Sequence, residues 1–417
     1  MRKELAFEKL DPFVFVTKLA GFEHSEYIQP NATKVPVDNT DIPMVQGKNI
    51  REGGFVEKYD WYISKKIADL LPRSILNKKC ILIPYVGSNL GEVGLFPNKY
   101  RCQLASNIAK LELKTDKYDL EYVMYYLQSP IGQSYLFQEK QGSSQPNITM
   151  ESIRNTQIIK KDILEQKKIV KILSLLTKKI ERNNCINDNL AQQAKLLYDY
   201  WFTQFDFPDE NDKPYRSSGG QMVWNDLLKK KIPLGWEVKT LSELLKKNTQ
   251  SFDYSSVQPT IDLSVMPSDS IALSQINSSD NFSTNLYVMK KGDILFGSIR
   301  PYLHKAGIAP CDGAVAGTVH SYHPINPNDY NFSLITMARD SFFDYAVNTS
   351  SGTKMPVVSS DSILSFKFAY SKEVAKKFNS VPIMEIITRN VQETQRLIKL
   401  RDFLLPLLMN GQVTIAE

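Results

Sequence analysis

Two short stretches of the chain place a glutamate two residues before a lysine, a spacing found in metal-dependent nucleases. They are LELK at 111–114 and WEVK at 236–239. In such enzymes carboxylates hold the metal ion that activates water. Neither stretch has a convincing acidic residue upstream, and the pairing is common by chance. We therefore predict no nuclease site.

The cysteines and histidines show no metal-binding spacing. They are Cys80, Cys102, Cys185, Cys311, His24, His304, His320 and His323. No two cysteines lie within two to four residues of each other and no HExxH pair occurs, so we predict no metal site. Scattered single thiols are typical of a reduced, cytosolic protein.

Sequence motifs for catalysis and nucleotide binding are also missing. The chain has no GxxxxGK[ST], no GxGxxG and no GxSxG. It has no Asn-Pro-Pro-aromatic motif of amino-methylating enzymes, because NPND at 326–329 does not fit. We predict no catalytic residues and no cofactor bound by this chain.

Composition describes a globular protein of two or three domains, with 417 residues, 42% hydrophobic and 23% charged. The net charge of +6 is compatible with a nucleic-acid partner but does not by itself indicate one. No apolar run approaches the roughly 18 residues of a membrane span. The N-terminus MRKELAFEKLDPF lacks the apolar core of a signal peptide. The sequence therefore predicts a cytoplasmic protein.

A long helix is predicted between residues 169 and 201 from apolar residues at heptad spacing. The seam residues are Ile169, Leu173, Leu176, Ile180, Asn183, Asn187, Leu190, Ala194, Leu197 and Trp201. A rise of about 1.5 Å per residue gives this helix a length of about 50 Å. Two asparagines occupy seam positions where an apolar side chain is expected.

A second helix near the C-terminus has the same spacing and ends at NGQ, residues 410–412. Its seam residues are Ile383, Ile387, Asn390, Thr394, Leu397, Arg401, Leu404 and Leu408. A constant offset of 207 aligns the two helices and places Asn183 on Asn390.

The segments that precede the two helices match as well. CILIPYVGSNLGEVGLFP at 80–97 aligns with DILFGSIRPYLHKAGIAP at 293–310 at an offset of 213. SSQPNITMESI at 143–153 aligns with a stretch ending at Ile363 at an offset of 210. Because the matches occur in the same order in both halves, we predict a duplicated unit.

Each repeat is predicted to be a mixed α/β globule followed by its long helix. KKCILIPYV and KGDILFGSI are typical of buried strands, and 119–137 and 331–347 of amphipathic helices. Residues 205–235 are rich in Pro, Gly, Ser and Asp without periodicity, which predicts an exposed linker.

The seam asparagines have two interpretations. An asparagine in a helix seam lowers stability but fixes the register, because its amide is unpaired in any other alignment. Asn183, Asn187 and Asn390 would then hold the two helices in one register. Alternatively, these amides face solvent at a break in the helix. The alignment at offset 207 favours the register role.

The chain resembles the specificity subunits of type I restriction–modification systems. The segment from EQKKIVKILSLL to KKKIPLGW, residues 165–236, is similar to that family's central conserved region and the lead of its second recognition domain. GDILFGSIRPYLHKAGIA at 292–309 is similar to the recurrent core of its recognition domains. The resemblance covers essentially the whole chain. One departure is that the first repeat begins at AFEKLDPF and lacks an IPxGW lead.

This resemblance implies an α+β fold. It comprises two similar mixed α/β target recognition domains separated by two long antiparallel coiled-coil helices, an internal pseudo-repeat. The expected segments are recognition domain one at 1–164, a spacer helix at 165–204, the linker at 205–235, recognition domain two at 236–373 and a second spacer helix at 374–417.

The resemblance also implies a DNA-binding function in phage defence without catalysis. Each recognition domain would bind one half of a bipartite target on double-stranded DNA. The helices would set the spacing and dock two methyltransferase subunits, which bring S-adenosylmethionine. Restriction subunits would bring ATP and Mg²⁺. A non-catalytic coiled-coil adaptor for protein partners, or an enzyme with an unrecognised site, would also fit the residues, and salt-dependent sequence-selective DNA binding or turnover would separate them.

Candidate DNA contacts are polar and cationic residues on loops, since base edges and phosphates need such groups. In the first domain they are Gln46, Lys48, Asn49, Arg51, Lys140, Ser143, Ser144, Gln145 and Asn147. In the second domain they are Arg300, Tyr302, His304, Lys305, Ser351, Thr353 and Lys354. The loops before Pro146 and Pro356 are favoured because they recur at equivalent places with different polar residues. For any single residue, a solvated surface loop is the alternative.

Overall fold

The fold is taken from a computed structural model of the chain, which describes residues 6–51, 54–138, 147–413 and 415. It divides into two compact units. The first unit is Met1–Lys178 with Ile398–Glu417, and the second unit is Lys179–Leu397. Within the described residues, none of the helices is both long and apolar enough to pass through a bilayer.

The described part of the first unit contains two four-stranded and two two-stranded sheets. Its strands are β1 Phe7–Lys9, β2 Val14–Lys18, β3 Ile42–Val45, β4 Ile50–Arg51, β5 Gly54–Phe55, β6 Tyr62–Ile63, β7 Ile75–Leu76, β8 Cys80–Pro84, β9 Gly94–Phe96, β10 Cys102–Leu104, β11 Ile108–Leu113 and β12 Gln157–Ile159. The main sheet has the order β2-β11-β8-β9, and a second has the order β6-β3-β10-β7. Strand β1 pairs with β12, and β4 with β5 forms a small hairpin.

The second unit repeats this arrangement. Its strands are β13 Met222–Asn225, β14 Lys230–Pro233, β15 Glu237–Thr240, β16 Leu245–Lys247, β17 Pro259–Ile261, β18 Asn277–Ser278, β19 Leu286–Met289, β20 Ile294–Gly297, β21 Ala306–Ile308, β22 Gly313–Ala316, β23 Val319–Pro324 and β24 Lys367–Tyr370. Its sheets have the orders β16-β23-β20-β21, β18-β17-β22-β19, β15-β24 and β13-β14. The first three have the strand orders of the first unit, whereas β13-β14 and the β4-β5 hairpin have no described counterpart.

The pairing directions and registers agree between the units as well. β3 and β10 are parallel neighbours, and so are β17 and β22. Ile81 pairs with Leu111, and their equivalents Ile294 and Tyr322 pair in the second unit. The predicted duplication and the predicted fold class are therefore confirmed.

Helices cover the sheets and join the two repeats. They are α1 Gly21–Glu23, α2 Lys65–Asp69, α3 Leu120–Gln128, α4 Pro130–Leu136, α5 Met150–Asn155, α6 Ile163–Tyr198, α7 Leu241–Leu244, α8 Tyr330–Ala338, α9 Asp340–Asn348, α10 Ser360–Leu364, α11 Lys372–Asn379 and α12 Ile383–Met409. The long helices α6 and α12 contain 36 and 27 residues. The second spacer helix thus begins at Ile383, after the separate short helix α11.

The helices predicted at 119–137 and 331–347 are each two helices. Ser129 adopts extended backbone, caps α4 through its hydroxyl and is followed by Pro130. Proline disfavours helical backbone in the residue before it, so the break is local in origin. In the second unit Arg339 is extended at the equivalent place, between α8 and α9.

Strand β1, Phe7–Lys9, is the strand that the missing IPxGW lead left unspecified. Phe7–Lys9 pairs antiparallel with Gln157–Ile159, as Glu237–Thr240 pairs with Lys367–Tyr370. The first repeat therefore has its opening strand without the sequence lead of the second.

Residues 205–235, expected to be an exposed linker, are folded. Phe205 and Phe207 are buried, and both pack against Trp236, with ring centroids 5.4 and 5.1 Å away. The buried carboxylate of Asp206 accepts hydrogen bonds from the Ser217 backbone and hydroxyl at 2.7 and 2.6 Å. Aromatic burial and one capped carboxylate thus give this Gly- and Pro-rich segment a fixed conformation.

Candidate nucleic-acid interface

In the second unit, two of the predicted contact segments lie side by side. We call residues 298–305 the turn loop and residues 349–357 the hairpin loop. The Arg300 backbone N–H donates to the Pro356 carbonyl at 2.7 Å, and Val358 N–H donates to the Ser298 carbonyl at 2.9 Å. Within the hairpin loop, Ser351 and Val357 exchange two backbone hydrogen bonds of 2.9 and 2.8 Å. The two loops therefore form one continuous backbone surface.

The turn loop holds two non-glycine residues in the left-handed region of backbone space. Arg300 has φ 52° and ψ 60°, and His304 has φ 52° and ψ 50°. Between them Pro301–Leu303 forms a single 3₁₀ turn. Left-handed backbone costs an L-residue about 1–2 kcal/mol, so this loop retains strain at both ends.

The side chains of His304 and Lys305 contact other residues of the second unit. The His304 ring stacks on Phe343 with centroids 4.4 Å apart, and its Nδ1 lies 3.1 Å from Asp269 Oδ1. The Lys305 ammonium donates to the Leu263 carbonyl. Both predicted contact residues therefore hold the turn loop in place rather than extend from it.

The other predicted contacts of the second unit project outward. Arg300, Ser351, Thr353 and Lys354 are exposed, and Tyr302 is 51% exposed. Among the residues that the structure describes, these side chains have no hydrogen bond or ion pair. A guanidinium, an ammonium, a phenol and two hydroxyls thus share one loop surface, which is the chemistry that phosphates and base edges require.

A neutral histidine lies below this surface in β23. Burial lowers the pKa of His320 to about 4, and the positive charge of Lys247 lowers it further, against a hydrogen bond with the Val358 backbone. Burial also lowers the pKa of Lys247 itself. The sheet beneath the loops therefore carries an uncharged imidazole at neutral pH.

The first unit has the same loop backbone with different side chains. Residues 85–92 are equivalent to the turn loop, and Ile148 N–H donates to the Tyr85 carbonyl at 2.9 Å, as Val358 does to Ser298. Gly87 has φ 99° and Gly91 has φ 86°, at the places of Arg300 and His304. Glycine adopts this backbone without strain.

The segment 46–51 lies next to loop 85–92, because the Asn89 amide donates to the Ile50 carbonyl at 3.0 Å. Asn49 is only 1% exposed. Its side chain accepts the Gln46 N–H and donates to the carbonyls of Val56 and Lys58, at 2.8, 2.7 and 2.9 Å. Asn49 therefore organises this loop and is not available to a ligand.

The remaining candidate contacts of the first unit differ in exposure, and several lie outside the described residues. Gln46 and Lys48 are half-buried, and the Lys48 ammonium pairs with Asp60. Arg51 is in β4, and its side chain lies outside the described residues, as do Lys140, Ser143, Ser144 and Gln145. Asn147 is exposed, directly before Ile148.

Sequence reasoning overlooked Ser88 and Asn89 in loop 85–92. Ser88 is exposed, and its hydroxyl donates to the Asn89 side-chain oxygen at 3.0 Å. The offset of 213 that aligned this stretch with the turn loop would have identified both residues. Met355, exposed on the hairpin loop, was overlooked in the same way.

The seam asparagines are buried in the antiparallel pair that α6 and α12 form in the second unit. Asn183 and Asn187 are each 1% exposed. The Asn183 amide donates to Glu393 at 2.8 Å and to Thr394 at 3.4 Å, and the Asn390 amide donates to Asn187 at 3.0 Å. The hydrogen bond from Asn183 lowers the pKa of Glu393, and Lys179 contributes at 3.3 Å. The amides do not face solvent.

These two contacts are equivalent under the internal repeat. At offset 207, Asn183 corresponds to Asn390 and Thr394 corresponds to Asn187. Each contact therefore joins the first seam asparagine of one repeat to the second seam residue of the other. That they fix the register remains a prediction.

Comparison with known proteins finds a family that is similar to part of this chain. Residues 30–192 match the family model described as the type I restriction modification DNA specificity domain. This part of the chain is similar to such a domain. The resemblance seen in the sequence is confirmed.

Two curated relatives belong to type I specificity subunits of Methanocaldococcus jannaschii. The MjaIX specificity subunit is 25% identical over 313 residues, which cover 71% of this chain and 70% of the relative. The MjaVIII specificity subunit is 28% identical over 234 residues, covering 55% of this chain and 49% of the relative.

A solved structure shares the fold of this chain. The S subunit of a type I restriction-modification system from M. genitalium superposes with a TM-score of 0.50 and 13% identity, covering 100% of this chain and 98% of that one.

Proposed function

We propose that this chain is the DNA-recognition subunit of a type I restriction–modification complex and has no catalytic site of its own. Each unit recognises one half of a bipartite target on double-stranded DNA. The observation that carries this proposal is the recurrence of one loop, 85–92 in the first unit and 298–305 in the second, with left-handed residues at equivalent places and different side chains.

The side chains of the two loops differ in chemical type, as expected if the two units bind different half-sites. The turn loop carries Arg300 and Tyr302 where loop 85–92 carries Gly87 and Asn89. Two hydrogen bonds recur in the described residues: Ile148 N–H to the Tyr85 carbonyl corresponds to Val358 N–H to Ser298, and Leu90 N–H to Gly87 corresponds to Leu303 N–H to Arg300. A constant frame with variable loops lets one chain bind two unrelated short sequences, since sequence is recognised by side chains at base edges.

The paired helices set the spacing of the half-sites. Two recognition surfaces on a rigid helical support can satisfy half-sites at one separation only, about one helical turn of DNA. The buried asparagine contacts support a single helix register, because a shift would break the hydrogen bonds of Asn183 to Glu393 and of Asn390 to Asn187.

The helices also dock two methyltransferase subunits, which supply S-adenosylmethionine. Leu196 on α6 is 70% exposed, and its equivalent at offset 207, Phe403 on α12, is 66% exposed. Exposed large apolar side chains commonly lie in protein interfaces. Equivalent apolar positions, one in each unit, suit two copies of the same partner. Restriction subunits complete the complex with ATP and Mg²⁺.

Methylation mapping tests the proposal. Genomic DNA is compared from a host with this chain and its modification subunit and from a host lacking only this chain. We expect methylation at a split target, two short defined sequences separated by a fixed gap, only when the chain is present. Replacing residues 236–373 by those of a relative should change one half-site alone. An identical pattern without the chain would refute the proposal and favour a protein adaptor.

A further inference from the structure

We propose that Arg300 recognises a guanine in the half-site bound by the second unit. This inference rests on the proposed function and names one base of the target. The guanidinium would donate to O6 and N7 of that guanine in the major groove.

Arg300 and His304 share a strained left-handed backbone but differ in their side-chain contacts. Contacts within the protein offset the strain at His304, because its ring stacks on Phe343 and bonds to Asp269. Arg300 has the same left-handed backbone, yet its side chain is exposed and has no partner among the described residues. The equivalent residue of the first unit is Gly87, the residue that this backbone favours. Packing does not explain an arginine here, whereas a ligand contact does.

The backbone from which the Arg300 side chain extends is held on both sides by hydrogen bonds. The Arg300 N–H is bonded to Pro356 at 2.7 Å, and Ile299 forms a β-bridge with Val357. Ser298 accepts from Val358 at 2.9 Å, and Pro301 is buried in the 3₁₀ turn that follows. Only the side chain of Arg300 is left to move. Base recognition benefits from such a fixed origin, since a bidentate contact tolerates little displacement.

The guanidinium of Arg300 has the donor geometry that guanine recognition requires. Its planar pair of N–H donors matches O6 and N7 of guanine, and this is the commonest base-specific contact of arginine. Lys354, on the adjacent hairpin loop, presents a point charge that suits a phosphate. The two cations of this surface therefore have different predicted roles, which an experiment can separate.

The test uses the full complex with the modification subunit and the variant Arg300→Gly. Glycine fits the left-handed backbone, so this variant should fold at least as stably as the wild-type chain. Binding is selected from duplexes randomised across the target. We expect one G·C pair in the second unit's half-site to lose its preference by about 5- to 150-fold, the range for one bidentate contact. The rest of that half-site and the whole of the other should be unchanged.

Two further variants make the outcome decisive. Arg300→Asn, whose side chain tolerates left-handed backbone, should lose the same guanine preference. Lys354→Ala should instead weaken binding to all sequences alike and reduce the salt dependence by about one phosphate contact.

The guanine assignment fails if Arg300→Gly leaves every base preference intact, or if it weakens all sequences uniformly as Lys354→Ala does. The proposed function fails separately, when the wild-type complex itself selects no split target. Thermal unfolding of each variant verifies that the fold is retained.

Discussion

The main sheets of the two units have the same strand order but bury different polar groups between their strands. In the first unit the Lys110 ammonium bonds to the Ile75 carbonyl at 2.9 Å and lies 3.0 Å from Glu112. In the second unit the equivalents of Lys110 and Glu112 are Ser321 and His323, which bond to the buried Asp293 at 2.8 and 2.9 Å. Asp293 is itself the equivalent of Cys80.

The comparison shows that one duplicated frame can place different polar groups at equivalent positions, each set with hydrogen-bond partners of its own. A carboxylate directly before β20 replaces the thiol of Cys80 in β8, whose pKa is raised to about 12 by burial, so that the thiol stays uncharged. The Asp293 carboxylate bonds to Ser321 and His323, whereas Glu112 of the first unit pairs with Lys110. Buried polar groups need hydrogen-bond partners, but the identity of the partner can differ. The two units have therefore diverged in their buried polar residues while keeping the same strand order.

The largest expected difference lies in the cores. Phe332 is fully buried, with ring centroids 4.7 Å from Phe202 and 5.1 Å from Phe368. Its equivalent in the first unit is Tyr122, whose hydroxyl donates to the Ile159 carbonyl at 3.2 Å. Phe332→Ala should lower the free energy of unfolding by about 3–5 kcal/mol, because it leaves a cavity.

Tyr122→Phe, at the equivalent position, removes only the hydroxyl. It should lower the free energy of unfolding by about 1 kcal/mol, the value of one hydrogen bond. Urea unfolding monitored by hydrogen exchange would assign each loss to its unit. Equal losses from the two variants would contradict the different cores that we describe.

Acid should affect the second unit before the first through His320. Its folded pKa of about 4 lies below the unfolded value of about 6.5. Between these values only the unfolded chain binds the proton, so stability falls as pH is lowered from about 6.5 to about 4, by at most about 3 kcal/mol. His320→Gln should flatten this dependence in urea midpoints measured across that range.

The first unit responds at lower pH through Glu112. Burial raises the pKa of Glu112, but hydrogen bonds from Lys78 and Lys110 lower it more, so its net shift is downward. Its contribution is present above the unfolded value of about 4.3 and is lost as pH falls through the folded pKa. Unfolding of the first unit at higher pH than the second would contradict this order.

The duplication was predictable from the sequence because it depends on residue order alone. Buried strands, helix seams and the prolines that follow the loops recur in both halves, and no tertiary contact is needed to see them. The adjacency of the turn loop and the hairpin loop did not follow from that alignment, because it depends on the backbone contact between Arg300 and Pro356.

Other features depend on contacts that the sequence does not specify. Asn49 looked like a loop residue available for contact, but Val56 and Lys58 return close enough to bind its amide. Residues 205–235 looked like a linker until Trp236 supplied a surface for Phe205 and Phe207. Strand pairing of Phe7–Lys9 is set by β12, 150 residues along the chain, not by local propensity.

Equivalence of the units should extend to partner binding. Leu196→Asp and Phe403→Asp should each remove one of two modification subunits, since an interface residue of this kind is worth about 1–2 kcal/mol or more. Native mass spectrometry would count the subunits retained, and the double variant should retain none. Phe22→Asp, at an exposed position in the short helix α1, is the control. If either single variant loses both subunits, the two positions are not independent.

The smallest effect is expected at the asparagine contacts. Replacing Asn187 and Asn390 together by leucine should raise the free energy of unfolding by about 1 kcal/mol, because buried amides lower stability in helix seams. The equivalent change, Asn183 and Thr394 to leucine, should gain less, since it also removes the hydrogen bond to Glu393. Thermal unfolding of both double variants measures the difference, and a loss of stability in both would exclude the seam as a polar register device.

The left-handed residue at position 300 also bears on how specificity can change over generations. Glycine and arginine codons differ by a single nucleotide. The turn accepts glycine without strain, as at Gly87, and accepts arginine at modest cost, as at Arg300. One point mutation can therefore add or remove a recognition side chain while the hydrogen bonds to Pro356 and Val358 remain in place. Such a position lets a lineage alter which foreign DNA it distinguishes without having to refold the protein that does so.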